Sequence, residues 1–233
     1  MTAWPAGEVR VWRANLLEWL EQPLSPQDLA SLSEDECARA DRILVDDAQR
    51  RFLISRILAR YILAGCLQQE PAQIEFDSGP QGKPHVRGGD SIHFNISHCY
   101  RWWVIAVSRE RDVGIDVEDW QRSIDMDRVA ARLFAPQEVA VLNSLPGELR
   151  RRAFFRVWTS REAVVKAMGE GIFASGHKFV VEADPRKPAR MLSDELALQE
   201  LKMEDDSPCM VAAAGKHSLH LSIRPLKRPE TSE

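Results

Sequence analysis

Val113-Gly114-Ile115-Asp116-Val117-Glu118-Asp119 alternates apolar residues with a glycine and two acids. Successive side chains of a β-strand point to opposite faces, so Val113, Ile115 and Val117 face a core. Asp116 and Glu118 then share the other side, roughly 7 Å apart at their α-carbons. Two carboxylates held side by side raise each other's cost of ionisation unless a cation lies between them. A hard divalent ion meets that need, and Mg²⁺ commonly takes one or two carboxylates plus substrate phosphates. A solvated strand face carrying two acids has the same pattern, so this stretch alone leaves both readings open.

Further along, Phe154-Phe155-Arg156-Val157-Trp158-Thr159-Ser160-Arg161-Glu162-Ala163-Val164-Val165-Lys166 belongs to a helix predicted from about Arg150 to Met168, closed by Gly169 and Gly171. Trp158, Glu162 and Lys166 are spaced i, i+4, i+8 and share one stripe. A plain surface Glu–Lys pair would be worth about 0.3 kcal/mol. The aromatic and aliphatic flanks point instead to a half-buried helix. On that reading Glu162 joins Asp116 and Glu118 at a metal, and Lys166 neutralises phosphate oxygens.

Upstream lies Phe94-Asn95-Ile96-Ser97-His98, a strand running into a turn, with Trp102-Trp103-Val104-Ile105-Ala106-Val107 returning. Serine, histidine and turn amides suit a phosphate; a structural histidine reads the same way. A Ser–His hydrolase is disfavoured, because neighbours in a strand face opposite ways. Gly79-Pro80-Gln81-Gly82-Lys83-Pro84 is a turn that presents Lys83, or an ordinary surface loop.

The remaining chain supplies both helices and strands. Residues 9–16 look extended, Ser25-Pro26 opens a short helix, and Ser33 with Glu36 forms a capping box. Apolar pairs at Leu53/Ile54, Ile57/Leu58 and Tyr61/Ile62 predict a helix from Asp46 to Ala64 stopped by Gly65. Strands are expected at 74–76, 92–96, 103–107, 113–118, 178–182, 189–192, 198–203, 209–214 and 219–224, and helices at 128–134 and from Pro136. Lys83-Pro84 and Lys187-Pro188 lie 104 positions apart, each after a helix and a strand. This weak self-similarity suggests duplicated halves. At that offset Glu162 falls on Leu58 and Lys166 on Ile62, so one half carries the polar groups and a single site lies between the halves.

Composition excludes several classes. Lys and Arg total 31 against 35 Asp and Glu, a net charge of −4, which lacks the basic excess of a nucleic-acid binder. Hydrophobic residues make up 44% and charged residues 28%, the profile of a globular domain rather than a disordered chain. No apolar run approaches the ~20 residues of a membrane span, and residues 1–13 lack the pattern of a secretory signal. Cys37, Cys66, Cys99 and Cys209 form no CxxC pair, which argues against zinc and for a reduced, cytoplasmic setting.

The ordered set Gly82-Lys83-Pro84, FNISH (94–98), GIDVE (114–118) and FRVWTSREAVVKAMGEG (155–171) resembles the 4′-phosphopantetheinyl transferases, specifically the larger surfactin-synthetase-activating type. The helix 46–64, opening with Asp47-Ala48-Gln49-Arg50, looks similar to the corresponding N-terminal helix. The first 40 residues and the tail after 180 match only in general pattern. The resemblance implies an α+β fold of two similar α/β subdomains related by a pseudo-twofold, here 1–110 and 111–233, with the active site at their interface. It implies transfer of the phosphopantetheine arm of coenzyme A to a serine of an apo acyl, peptidyl or aryl carrier protein, releasing adenosine 3′,5′-bisphosphate. Mg²⁺, with Mn²⁺ as alternative, would bridge the pyrophosphate, and the protein would be a monomer.

Carried over residue by residue, Asp116, Glu118 and Glu162 match the metal-binding acids. Glu162 also matches the general base, directly or through water. Lys166 matches the lysine that holds the pyrophosphate and protonates the leaving phosphate. His98 matches the 3′-phosphate histidine, Ser97 a diphosphate contact, and Arg50 a basic phosphate contact. Gly82, Lys83 and Pro84 match the loop against the adenine. Two departures stand out. Glu36 and Asp41 dilute the basic cluster of Arg39 and Arg42, and Cys99-Tyr100 follow His98 where a small polar residue and glycine are usual. Arg122, Arg128, Arg132, Arg150, Arg151 and Arg152, with Met126 and Phe134 between them, are expected to form the docking region for an acidic carrier protein. Competing readings are a non-catalytic coenzyme A or carrier-binding module and another Mg²⁺-dependent phosphoryl transferase; the absence of a GxxxxGK[ST] loop excludes the usual P-loop form of the latter.

Overall fold

The computed structural model describes residues 4–79, 82–89, 91–169, 179–192, 196–215 and 219–226. The first half runs β1 (Glu8–Asn15), α1 (Leu16–Leu20), α2 (Pro26–Ala30), α3 (Glu34–Ala40), α4 (Asp46–Leu67), β2 (Phe76–Ser78), β3 (Pro84–Val86), β4 (His93–His98) and β5 (Trp102–Ser108). The second half runs β6 (Val113–Val117), α5 (Met126–Leu133), α6 (Pro136–Ser144), α7 (Gly147–Met168), β7 (Leu196–Glu200), β8 (Cys209–Ala214) and β9 (His220–Pro225). The chain is a mixed helix-and-sheet protein. One sheet has the order β4-β5-β1-β9, another β6-β8-β7, and β2-β3 is a small hairpin.

Alternation along the strands builds the layers. Trp103, Ile105 and Val107 of β5 pack with Ile54, Leu58 and Leu63 of α4. Met210 and Ala212 of β8 pack with Phe154, Val157 and Val164 of α7. The opposite strand faces meet each other: Val9, Val11, Val104 and Ala106 pack with Val113, Ile115, Val117, Val211 and Ala213. Both faces of β5 and β6 are therefore covered, and every residue of these strands is buried. The expected inward set of Val113, Ile115 and Val117 lies in that shared core, and Asp116 faces α7.

Several expected boundaries move. Helix α4 does not stop at Gly65; it continues to Leu67 and ends with Gln68 in the left-handed region at φ 60°. Cys66 is buried in the core beneath it, and that packing carries the helix one turn further. Residues 179–182 and 189–192 form no ladder but share one antiparallel bridge, Val181 to Met191. Pro185 and Pro188 lie between them, and the Val181 amide donates to Glu138 Oε1 at 2.8 Å rather than to a strand. Residue 178 and Gly171 lie outside the described residues. Helices α4 and α7 are both 22 residues long and start at Asp46 and Gly147, an offset of 101 rather than the 104 of the Lys-Pro pair. At that offset Glu162 and Lys166 still fall on uncharged residues, Tyr61 and Gly65. Strand β9, from the end of the second half, pairs in parallel with β1 and completes the first sheet.

Gly114 explains how α7 reaches the strand. A β-carbon there would stand 2.0 Å from the Ala163 carbonyl oxygen and 2.4 Å from the Ala167 nitrogen. Only glycine lets the helix backbone approach so closely. Gly114→Ala should therefore push α7 off β6, at a cost of about 3 kcal/mol. Urea denaturation checks this, and a loss below about 1 kcal/mol would contradict the close approach.

Candidate active site

Strand β4 and strand β6 lie side by side but are joined by side chains rather than a backbone ladder. Asn95 Oδ1 accepts from the Ile115 amide at 2.9 Å, and Ser97 Oγ accepts from the Val117 amide at 3.4 Å. The same Ser97 hydroxyl donates to Asp116 Oδ1 at 2.9 Å. Lys166 Nζ, coming from α7, donates to Asp116 Oδ1 at 2.6 Å and to Ser97 Oγ and the Ile115 carbonyl at 3.3 Å each. Asp116, Ser97 and Lys166 thus form one hydrogen-bonded knot between the two sheets and the helix. Burial lifts the Asp116 carboxyl to about 6, against the pull of Lys166 and with help from Glu118 and Glu162. Asp116 Oδ2 is buried and has no hydrogen-bond partner.

Glu118 sits one residue past β6, where its amide donates to the Pro208 carbonyl. Its Oε1 accepts from Trp158 Nε1 at 2.8 Å and from Arg122 Nη1 at 2.7 Å. The Trp158–Glu162–Lys166 stripe therefore does face the strand that carries the acids. Burial raises the Glu162 carboxyl; Lys166 opposes the shift and Glu118 adds to it. Among the described residues no three His, Cys, Asp or Glu side chains stand in an ion-holding cluster as they are. Lys166 donates to Asp116 and Arg122 to Glu118. The donor set still fits a hard divalent ion, because all three acids are oxygen ligands within electrostatic reach of each other and Asp116 keeps an unpartnered oxygen.

Ser97 is buried and His98 exposed, on opposite faces of β4. The serine hydroxyl is committed to Asp116 and Lys166, so there is no serine–histidine dyad. The His98 imidazole is held below its ordinary pKa by desolvation and by the nearby Lys166 and Arg51 charges. Arg51, which sequence reasoning passed over, donates to the Tyr100 carbonyl at 2.6 Å. Arg50 points elsewhere and donates to the Gln22 carbonyl at 3.0 Å. Lys83 does not face outward. Its amine donates to the carbonyls of Lys166 at 2.8 Å and Val113 at 3.1 Å, at the negative end of α7. Burial lowers its pKa. Lys83 and Pro84 line a cavity of about 220 Å³ with Ile92, His93, Phe94 and Gly169, and Gly82 adopts φ 78° at the turn into it.

Residues 112–212 match the family described as the 4′-phosphopantetheinyl transferase superfamily, and residues 12–110 match the 4′-phosphopantetheinyl transferase N-terminal family. The chain is 40% identical over 216 residues to the 4′-phosphopantetheinyl transferase HetI of Nostoc sp. (strain PCC 7120), covering 90% of this chain and 89% of that one. The chain belongs to the 4′-phosphopantetheinyl transferases. It is 34% identical over 181 residues to the 4′-phosphopantetheinyl transferase psf-1 of Bacillus pumilus, covering 78% of this chain and 72% of that one. Likeness to the Sfp transferase of Bacillus subtilis is lower, 26% over 158 residues, covering 66% and 69%. The family is therefore established by these similarities, and the narrower surfactin-activating type is not.

Two hydrogen-bond partners of Glu118 were not read as such from the sequence. Trp158 gave a signal, since it shares the stripe with Glu162 and Lys166. Arg122 gave none, because its bond to Glu118 is made across a turn. A third feature lies beneath: Arg161, next to Glu162, is buried against Glu138, with Nη1 at 3.0 Å from Oε2.

Proposed function

We propose that the chain transfers the 4′-phosphopantetheine arm of coenzyme A to the serine of an apo acyl, peptidyl or aryl carrier protein. The observation that supports this site assignment best is the Asp116–Ser97–Lys166 knot beside Glu118 and Glu162. Asp116, Glu118 and Glu162 would hold Mg²⁺, or Mn²⁺ in its place. Bound there, the ion would neutralise charge on the pyrophosphate. Lys166 leaves Asp116 to donate to the pyrophosphate oxygens and steadies the departing adenosine 3′,5′-bisphosphate. The carrier serine oxygen forms a bond to the phosphorus of the arm as the bond to the departing phosphate breaks. Glu162 accepts the serine proton, directly or through a water. His98 offers a ring N–H donor and Arg51 a positive charge to the 3′-phosphate, with Arg50 as a further phosphate contact if its side chain turns from Gln22. The cavity beside Lys83 and Pro84 is the place for the adenine.

We also propose the larger type of transferase, acting as a monomer. Both family matches lie in one chain, one after the other, and each half supplies residues to the knot. All four cysteines are free thiols, in keeping with a reduced, cytoplasmic setting. No helix among the described residues is long and apolar enough to cross a membrane.

For carrier docking, the expected arginines separate into two groups. Arg122, Arg150 and Arg152 are paired with Glu118, Asp127 and Glu148, and Arg151 donates to the Trp120 and Arg122 carbonyls. Arg128 and Arg132 lie on the exposed face of α5. Reversing both to Glu should raise KM for the carrier about tenfold and leave coenzyme A affinity unchanged; an unchanged carrier KM would remove α5 from the docking surface.

The reaction itself is tested by incubating the protein with apo carrier, coenzyme A and Mg²⁺ and taking the intact mass of the carrier. A gain of one phosphopantetheine arm, lost with chelator, is expected. Coenzyme A binding without a mass gain on several carrier classes would favour the binding-module reading.

A further inference from the structure

We propose that Arg122 is an internal competitor for the metal site, released toward the carrier protein when the site is loaded. The proposal rests on the transferase reading above. Glu118 Oε1 receives two donors of different character. Trp158 Nε1 is neutral, so it orients the carboxylate without cancelling its charge. Arg122 Nη1, at 2.7 Å, does cancel it. The Arg122 side chain is 49% exposed while that of Glu118 is 13% exposed, so the cation approaches from the solvent side.

The arginine is mounted to swing. Its backbone is held: the amide donates to the Asp119 carbonyl at 3.1 Å, and its own carbonyl accepts from Arg151 Nη2 at 2.8 Å. Its side chain, by contrast, is hydrogen-bonded to the Glu118 carboxylate, acts on Glu162 through its charge, and lies over the Trp158 ring, with the guanidinium carbon 6.0 Å from the ring centre. Trp158 and Arg122 both bond Oε1, so a divalent ion taken by Glu118 would stand beside a second cation and repel it. Loading the site displaces Arg122, while Trp158 keeps the carboxylate aimed.

The displaced arginine lies in the turn leading into α5, the helix that carries the exposed Arg128 and Arg132. A basic face opposite an acidic carrier therefore gains a charge only when the site is loaded. Linkage makes the effect mutual: ion and carrier each strengthen the other's binding by the same factor. The size is that of a half-exposed ion pair, about threefold to fivefold.

The test titrates Mn²⁺ into the chelator-stripped full chain with coenzyme A present, read by calorimetry and by loss of the free Mn²⁺ spin-resonance signal. Arg122→Gln should bind Mn²⁺ about threefold to fivefold more tightly than the unaltered chain, and Arg122→Lys should fall between them. Arg128→Gln, which removes an equal charge from α5 but has no bond to Glu118, should leave Mn²⁺ affinity unchanged. A carrier with its acceptor serine replaced by alanine should bind about threefold more tightly with Mn²⁺ than without, and Arg122→Gln should abolish that difference. Equal or weaker Mn²⁺ binding in Arg122→Gln, equal tightening in Arg128→Gln, or no Mn²⁺ binding by the unaltered chain would each overturn the proposal. If the unaltered chain transfers the arm while these affinities do not move, the competitor role falls and the transferase reading stands. If no carrier gains the arm, both fall.

Discussion

Asp116→Asn is expected to lower transfer by about a thousandfold while leaving the metal-free protein as stable as before, or more stable, at pH 8. The activity loss follows from removing one of three carboxylates and the partner that positions Lys166. The stability result follows from linkage. Burial raises the Asp116 pKa from 3.8 to about 6, with Glu118 and Glu162 adding to the shift and Lys166 opposing it. Between those two values the folded state holds a proton that the unfolded state has released, so the stability of the unaltered chain falls as pH rises through this window. Above pH 6 the full cost of a buried charge is present. Asparagine carries no charge and so removes both the cost and this part of the pH dependence. Thermal denaturation with chelator at pH 4.5 and pH 8 checks both, and a lower Tm at pH 8 for Asp116→Asn would refute the argument.

Glu138→Ala is expected to destabilise the fold by about 3–5 kcal/mol, the cost of leaving a buried charge without its partner. The Glu138 and Arg161 side chains are 0% and 2% exposed. Glu138 also accepts from the Ala135 amide at 2.7 Å and the Val181 amide at 2.8 Å. One carboxylate thus holds the start of α6, the segment around Val181 and the turn of α7 that carries Glu162. Burial pushes its pKa up, and Arg161 and both amides pull against that shift. Glu138→Gln keeps an acceptor and should lose less. Glu138→Leu combined with Arg161→Met should recover most of the stability, since removing both charges also removes the desolvation cost. Urea denaturation of the four proteins decides it. A loss under about 1 kcal/mol in Glu138→Ala would mean that water reaches the pair.

The departure noticed around Glu36 has a similar cause. Glu36 accepts from Arg60 Nε at 2.7 Å and also pairs with Arg56, so the acid that dilutes the basic cluster serves the packing of α3 on α4. Its Ser33 capping box is present as expected. Local signals of this kind act over three or four residues and were legible.

So were the face of β6 that enters the core, the stripe of Trp158, Glu162 and Lys166, and the opposite pointing of Ser97 and His98. Each depends only on the period of a strand or helix, which the chain carries in its own order of residues. The motif set also carried the family. What no local pattern contains is the choice among distant partners. Strand β9 could have joined the second sheet, and instead lies parallel to β1. Lys83 had the look of a loop lysine, and its amine closes the end of α7. Arg122 was one basic residue among six, and it sits on Glu118. These outcomes depend on which groups meet once the two sheets share a core. Burial then decides which charges must find a partner at once and which can wait for a ligand.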